Sequence, residues 1–175
     1  MGKSSKEGKD VILDWVRDLE LAAVLDIGAG SGTYRKLFIK NKVPCIASWT
    51  AIEAWEPYIQ KFNLTDLYNT VINQDIRQVD FSSIGPVDLT FMGDVLEHVT
   101  KQESINIVKH VMTISKYAVI SIPIVHWPQH DLHGNPFEVH VKDDWSDLEV
   151  KETFAQYITK SWAGEKIGVY WLESQ

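Results

Sequence analysis

Short apolar runs alternate along the chain with segments in which apolar residues recur at helical spacing. Five of the runs are rich in β-branched and aromatic residues and are bounded by turn-forming residues, which predicts β-strands. They cover residues 23–27, 49–52, 70–72, 87–92 and 117–122. Strands that alternate with helices are typical of a parallel sheet with helices on both faces.

The intervening segments predict helices from the spacing of their apolar residues. These helices begin at or near Asp10, Ser31, Pro57 and residue 101. Asp10 is a suitable N-cap, and proline is tolerated in a first helical turn. Ser146 and Glu149 form a capping-box sequence, which predicts a last helix that continues to about Tyr157.

The end of the chain predicts an antiparallel hairpin. Residues 158–162 and 166–172 are strand-like and flank the turn sequence Ala163-Gly164-Glu165. Residues 123–145 contain three prolines and one glycine and are predicted to form a long loop. The predicted fold class is α/β, a doubly wound, mostly parallel seven-stranded sheet with helices on both faces and this hairpin at its C-terminal end. Ligands of such open sheets bind beyond the carboxyl ends of the strands, where the strand order reverses.

Length and composition indicate one folded domain. The chain has 175 residues, of which 45% are hydrophobic and 23% are charged, a balance typical of globular proteins. Residues 10–175 are assigned to the domain, and the Lys/Ser/Gly-rich residues 1–9 are predicted to be a flexible tail. No apolar run approaches the ~20 residues of a membrane helix, so no membrane association is expected.

The net charge and the cysteine content limit which binding partners and which cellular compartment are expected. The net charge is −7, which argues against a broad basic surface for nucleic acid. Cys45 is the only cysteine, so the chain can form neither an internal disulfide nor a multi-cysteine metal site. A reducing, cytoplasmic setting is predicted. The sequence does not indicate an oligomeric state.

A glycine-rich segment, Gly28-Ala29-Gly30-Ser31-Gly32-Thr33, follows the first predicted strand and precedes a helix. Glycines in this context let the backbone turn sharply and approach a ligand at a helix N-terminus. A dinucleotide fingerprint would need glycine at position 33 as well as at 28 and 30. Because residue 33 is threonine, the sequence disfavours a nicotinamide-dependent oxidoreductase.

The segment from Val24 to Gly32 resembles the first motif of the class I S-adenosylmethionine-dependent methyltransferases. The resemblance continues in chain order with Glu53 after the second strand, Asp75 after the third and the sequence Phe91-Met92-Gly93-Asp94-Val95-Leu96-Glu97-His98-Val99 after the fourth. It covers roughly residues 10–175. The resemblance implies a Rossmann-like fold, S-adenosylmethionine as cofactor and methyl transfer as the activity.

Particular residues acquire roles from this resemblance. Glu53 would accept hydrogen bonds from the ribose hydroxyls, and Asp75 with the backbone N–H of Ile76 would bind adenine. Asp26 would brace the glycine loop and bind the methionine ammonium directly or through water. The alternatives are a solvated acid for Glu53 and a turn cap for Asp26. Asp94 would face the methionine end or cap the short helix that follows. The implied cofactor-binding set is Asp26, Gly28, Gly30, Gly32, Glu53, Asp75, Ile76 and Asp94.

Transfer of a methyl group to an oxygen or nitrogen atom removes a proton from the molecule that accepts the methyl group. A base with a pKa near neutrality assists that step. Four histidines lie in the loop after the fifth strand: His126, His130, His133 and His140. The predicted catalytic residues are His126, His130 and Asp94, although each histidine has a structural or surface role as its alternative. Trp127 would form a wall for the acceptor.

The sequence offers only a weak metal signal. The pattern His126-x3-His130-Asp131-x-His133 has ligand-forming residues, but loop spacing without a template indicates little. No metal is predicted. His98 is expected to hold its own helix against the sheet.

The acceptor is predicted to be a small molecule or a glycan. The tetrapeptide Asn/Asp-Pro-Pro-Tyr/Phe of amino-methylating DNA and protein-glutamine enzymes is absent, because the fourth strand ends in Met92-Gly93-Asp94. Aromatic and carboxylate residues mix between residues 127 and 145, which suits a polyhydroxylated acceptor. The alternative is a non-catalytic subunit that binds S-adenosylmethionine without transferring its methyl group.

Overall fold

The computed structural model describes residues 6–43 and 48–174. In these ranges seven strands form one mixed sheet: β1 (Ala23–Ile27), β2 (Ser48–Ile52), β3 (Thr70–Ile72), β4 (Val87–Gly93), β5 (Ser115–Pro123), β6 (Ile158–Ala163) and β7 (Ile167–Glu173). The strand order is β3-β2-β1-β4-β5-β7-β6. All pairs are parallel except those of β7, which is antiparallel to β5 and β6. The predicted fold class is confirmed.

Helices connect the parallel strands. The α-helices are α1 (Lys9–Val16), α2 (Thr33–Lys40), α3 (Glu56–Lys61), α4 (Leu64–Leu67), α5 (Lys101–Ile114) and α6 (Asp147–Thr153). Short 3₁₀ helices cover Ile76–Gln78, Phe81–Ser83, Leu96–His98 and Pro136–Glu138. In the two described ranges, no helix combines the length and apolar composition that a membrane span needs.

The predicted helix boundaries differ from the structure where capping residues decide them. Gly32 has a positive φ of 74° and is the N-cap of α2, which therefore starts at Thr33 rather than near Ser31. Helix α6 ends at Thr153, four residues before the predicted end, and its C-cap Phe154 donates its backbone N–H to Val150. Helix α5 begins at Lys101, as predicted.

The N-terminal residues require a correction. Residues 1–5 of the predicted tail, and Cys45, lie outside the described ranges, but residues 6–9 are part of the fold. Lys9 is the first residue of α1, is buried, and donates from Nζ to the hydroxyl of Tyr34 at 2.8 Å. The side chain of Glu7 accepts from the backbone N–H of Glu165 at 2.5 Å. These contacts attach the segment to the hairpin and to α2.

The sheet separates two hydrophobic layers. Along β1, Leu25 and Ile27 belong to one layer and Val24 to the other, as the alternation of side chains along a strand requires. In the layer beneath α2, Phe91 stacks on Tyr34 with a centroid separation of 4.5 Å. Burial of these two apolar faces is the main stabilisation of such a fold.

The strand order reverses between β1 and β4, since the chain runs outward from β1 to β3 and then returns to β4 on the other side. The carboxyl ends of β1, β2 and β4 therefore meet at one edge of the sheet. Their next residues are Gly28, Glu53 and Asp94. This is the position at which open α/β sheets bind ligands.

The N-terminus of α5 provides a test of the fold's local energetics. Thr100 and Glu103 form a reciprocal capping box, with Glu103 Oε2 accepting from the Thr100 backbone N–H at 2.8 Å. Thr100→Ala should lower the free energy of unfolding by ~1 kcal/mol, measured by urea denaturation. The matched control is Thr113→Ala, an exposed threonine in the same helix, with an expected change below ~0.5 kcal/mol. Equal losses in the two variants would contradict the capping role.

Candidate functional site

The glycine turn after β1 is held by hydrogen bonds to the end of β2. The backbone N–H groups of Gly28 and Ala29 both donate to the carbonyl of Ile52, at 2.8 and 3.2 Å. Gly28 has a positive φ of 65°, and a Cβ there would collide with the side chain of Val95. A residue with a side chain would therefore be strained by its backbone and blocked by its neighbour.

Glu53 fixes the next part of this turn. Its Oε2 accepts from the backbone N–H of Gly30 at 2.8 Å, and its Oε1 accepts from that of Trp55 at 2.9 Å. The side chain is buried. Burial raises the pKa of its carboxyl, against the two backbone hydrogen bonds, which lower it.

Asp75 caps the 3₁₀ helix that follows β3. Its Oδ1 accepts from the backbone N–H of Arg77 at 3.0 Å and from the Arg77 Nε at 2.9 Å. The hydrogen bonds from the Arg77 guanidinium hold the pKa of this carboxyl below its usual range. The guanidinium therefore keeps Asp75 ionised and fixes its orientation.

Asp94 follows β4 in a left-handed conformation with φ of 55°, which is uncommon for a residue with a side chain. Its backbone N–H donates to the carbonyl of Ser121 at 2.8 Å. Its Oδ2 is buried and has no hydrogen-bond partner among the described residues. An orphaned carboxylate oxygen at a backbone outlier is typical of a functional site.

Two clefts open at this edge of the sheet. The first cleft includes Tyr34, Asp94, Glu97, Trp127 and His140 in its lining. The second cleft includes Glu53, Asp75, Ile76, Val95 and Phe137. Six residues line both and make the clefts continuous: Gly28, Gly30, Tyr58, Asp94, His98 and Glu138.

Tyr58 and Glu138 connect the two sides of the cleft entrance. The hydroxyl of Tyr58, on α3, donates to Glu138 Oε1 at 2.7 Å. Glu138 ends the 3₁₀ helix in the loop after β5, and Gln129 donates to its backbone carbonyl at 2.7 Å. Burial and the adjacent Glu138 carboxylate raise the pKa of Tyr58 to about 12.

The structure separates the predicted cofactor residues into two groups. Gly28, Gly30, Glu53, Asp75, Ile76 and Asp94 line one or both clefts. Asp26 and Gly32 line neither. Asp26 is buried and its Oδ2 accepts from the Tyr68 hydroxyl at 2.5 Å, while a Cβ on Gly32 would meet the side chain of Leu67. Both residues therefore stabilise the glycine turn on the side that faces away from the clefts.

The predicted catalytic histidines are not in the clefts. His126 is 70% exposed in its side chain and lies 3.4 Å from the carboxylate of Asp143, and His130 is also exposed. The loop histidine that lines the first cleft is His140. The weak metal-ligand pattern of His126, His130 and His133 does not form a ligand group among the described residues.

Sequence reasoning missed a different cluster. Glu97, His98 and His140 place one ligand-type atom each within 4.8 Å of one another, the only such group found in the described ranges. Burial, followed by the nearby negative charge of Asp94, raises the pKa of the Glu97 carboxyl well above its usual value. Burial also lowers the pKa of His98, against the hydrogen bond to Val139. The adjacency of Glu97 and His98 was visible in the sequence, but the approach of His140 was not.

No family model and no curated protein matches the chain by sequence. Solved structures do resemble it. The N-terminal domain of EvdMO1 with SAH bound has a TM-score of 0.70 and 12% identity, covering 98% of this chain and 82% of that one. Magnesium protoporphyrin IX methyltransferase (ChlM) from Synechocystis PCC 6803 with bound SAM has a TM-score of 0.66 and 14% identity, with coverages of 97% and 79%.

A third similar structure is the small RNA methyltransferase HEN1, with a TM-score of 0.73 and 13% identity. The match covers 100% of this chain and 26% of that one, so this chain corresponds to one part of the larger protein. Taken together, these similarities show that the chain has the class I methyltransferase fold.

The buried carboxyl of Asp26 makes a prediction about stability and pH. Burial raises its pKa to about 7 from 3.8, against the Tyr68 hydrogen bond and the charge of Lys9. Between about pH 4 and 7 the folded state holds a proton that the unfolded chain has lost. The contribution of Asp26 to stability therefore falls as pH rises, by up to ~1.4 kcal/mol per pH unit, and is lost above pH 7.

Asp26→Asn keeps the shape of the side chain without the charge, so it should flatten this slope in urea denaturation between pH 4 and 8. The exposed Asp18→Asn controls for the change of one net charge. A variant at position 26 that keeps the wild-type slope would mean that the carboxyl is ionised throughout this range.

Proposed function

We propose that this protein is an S-adenosylmethionine-dependent methyltransferase that acts on an oxygen or nitrogen of a small molecule or glycan. The observation that carries the proposal is the meeting of the glycine turn, Glu53 and Asp94 along one continuous cleft at the reversal of strand order. The similar structures crystallised with SAH or SAM support the same cofactor.

The second cleft has the chemistry of an adenosine site. Each oxygen of Glu53 accepts one backbone N–H, which fixes the carboxylate and leaves lone pairs on both oxygens for the two ribose hydroxyls. Beyond Glu53 the lining continues with the apolar side chains of Ile76, Val95 and Phe137 and the carboxylate of Asp75. These groups would hold the faces and the amino group of adenine.

The first cleft has the chemistry of a methyl-transfer site. When bound, S-adenosylmethionine supplies an electrophilic methyl group on a positively charged sulfur. The carboxyl group of Asp94 lies in this cleft and would favour the cation over its neutral product. The chain's main task is then to align an acceptor atom with the methyl group. Asp94 and Glu138, whose side chains line this cleft, would receive the acceptor's proton, whereas roles for His126 and His130 remain predictions from the sequence.

The rim of the first cleft favours a polyhydroxylated acceptor. Trp127 is 37% exposed, and Gln129 lines the same cleft. Aromatic faces next to polar side chains suit a sugar ring. A structure of the EvdMO1 N-terminal domain obtained in the presence of SAH and D-fucose has the same fold, with 12% identity, and is consistent with such an acceptor class.

The first experiment is calorimetric titration with S-adenosylmethionine, S-adenosylhomocysteine and NAD. The proposal expects binding of the first two and not of the third. Binding of neither sulfur compound would overturn it. Turnover of S-adenosylmethionine with a panel of sugars and small hydroxylated or amino compounds then separates an enzyme from a subunit that only binds the cofactor.

Replacement of Glu53 tests the ribose role. Glu53→Ala should weaken S-adenosylmethionine binding by ~1–3 kcal/mol, because hydrogen bonds to a charged group are lost. The matched control is Glu56→Ala, an exposed glutamate three residues away in the first turn of α3, and its affinity should equal that of the wild type. Thermal unfolding verifies that both variants fold. Unchanged affinity in a folded Glu53→Ala protein would refute the assignment.

A further inference from the structure

Glu97, His98 and His140 converge from two parts of the chain. The first two end the 3₁₀ helix after β4, and His140 lies in the loop after β5. One ligand-type atom of each lies within 4.8 Å of the others. Nitrogen and oxygen ligands lie ~2.0–2.2 Å from a bound transition metal, so small movements of these side chains would bring all three atoms to one ion.

Both imidazoles are held at Nδ1 by a backbone carbonyl. His98 Nδ1 lies 3.1 Å from the carbonyl of Val139, and His140 Nδ1 lies 2.5 Å from the carbonyl of Trp127. A carbonyl oxygen only accepts hydrogen bonds, so each Nδ1 carries the proton and donates it. Nε2 is therefore the nitrogen of each ring that is available to coordinate an ion. Metal-ligating histidines are held in the same way, with the other ring nitrogen donating to a carbonyl or carboxylate.

One oxygen of the Glu97 carboxyl group lacks a partner in the described part of the chain. Glu97 is only 2% exposed, and its Oε2 makes no hydrogen bond among the described residues. The buried Oδ2 of Asp94, in the same cleft, is also unpartnered. The described residues that line this cleft include no lysine or arginine, and the one buried cation whose charge acts on both carboxyls, Lys9, lies behind the lining. Buried carboxylates are costly unless they pair with a cation or coordinate a metal.

The backbone around the cluster is fixed before any ion binds. The carbonyl of Glu97 accepts from the N–H groups of Val141 and Lys142, at 2.8 and 3.0 Å. The N–H of His140 donates to the carbonyl of Gln129 at 3.0 Å. These bonds join the loop to the 3₁₀ helix on both sides of the three side chains. The arrangement is preorganised in the way that a metal site needs.

We propose that Glu97, His98 and His140 bind a divalent first-row transition metal ion whose remaining coordination positions face the first cleft. Two imidazoles and one carboxylate suit Mn²⁺, Co²⁺ or Zn²⁺ better than Mg²⁺ or Ca²⁺, which prefer oxygen ligands. Three protein ligands leave positions for a neutral oxygen donor. This donor is water in the free protein, and, on the basis of the proposed methyltransferase function, a hydroxyl of the acceptor.

The direct test is titration of the chelator-treated full-length protein with Co²⁺, followed by visible absorption and calorimetry. The wild type should bind one equivalent with a spectrum of nitrogen and oxygen coordination. Glu97→Gln and His140→Ala should each weaken binding roughly tenfold or more, because even groups that only support metal ligands are typically worth about 10–100-fold.

The matched controls are Glu152→Gln and His110→Ala, which alter exposed residues on α6 and α5 away from the cleft. They should bind Co²⁺ with wild-type affinity. Circular dichroism and thermal unfolding verify that every variant folds. Absence of Co²⁺ binding up to millimolar concentration, or equal affinity of the wild type and a folded Glu97→Gln protein, would overturn the proposal.

A second measurement tests the open coordination positions. Mn²⁺ bound by three protein ligands retains exchangeable water, so the wild-type protein should enhance the relaxation of water protons and Glu97→Gln should not. No enhancement with Mn²⁺ bound would refute the open positions. Calorimetry with S-adenosylhomocysteine on the metal-free protein is independent of this result. Metal binding without cofactor binding would refute only the proposed function, and cofactor binding without metal binding would refute only the metal site.

Discussion

The hydrogen bonds between the glycine turn and the end of β2 are the constraint on which the site depends. Hydrogen bonds hold parallel strands side by side, but the loops that follow the strands can diverge where these hydrogen bonds end. Here the carbonyl of Ile52 and the carboxylate of Glu53 accept three consecutive N–H groups, from Gly28, Ala29 and Gly30. The turn is thereby kept open beside β4, and the two clefts can join across it.

The sequence predicts the fold and the acids of the proposed cofactor cleft because both depend on local patterns. Glu53 and Asp94 follow directly after their strands and Asp75 follows β3 by three residues, so the strand assignment places all three at one edge of the sheet. Asp26 differs because it lies within β1. It is two residues from Val24 and shares its face, which turns its carboxyl toward Tyr68 beneath the turn. The alternation was readable from the sequence, but the tyrosine partner was not.

The acceptor half was predicted only in outline, since no periodicity governs a long loop. The path of residues 123–145 is set by bonds between its two arms, in which the N–H of Trp127 donates to Asp143 and that of His140 donates to Gln129. These bonds turn His140 inward and leave His126 and His130 outside. The composition indicated that a histidine of this loop would be available to the site. The path of the folded backbone determines which histidine lines the cleft.

Lys9, near the start of the described chain, contributes a positive charge to the electrostatics of the site. Its ammonium group lies 4.3 Å from the centre of the Tyr34 ring, and Tyr34 lines the first cleft. The charge also acts on Asp26 and Asp94. Shortening the protein past residue 9 would thus remove a buried positive charge from behind an acidic cleft, together with the start of a helix. The N-terminal boundary chosen for expression or fusion is therefore a variable of the site itself.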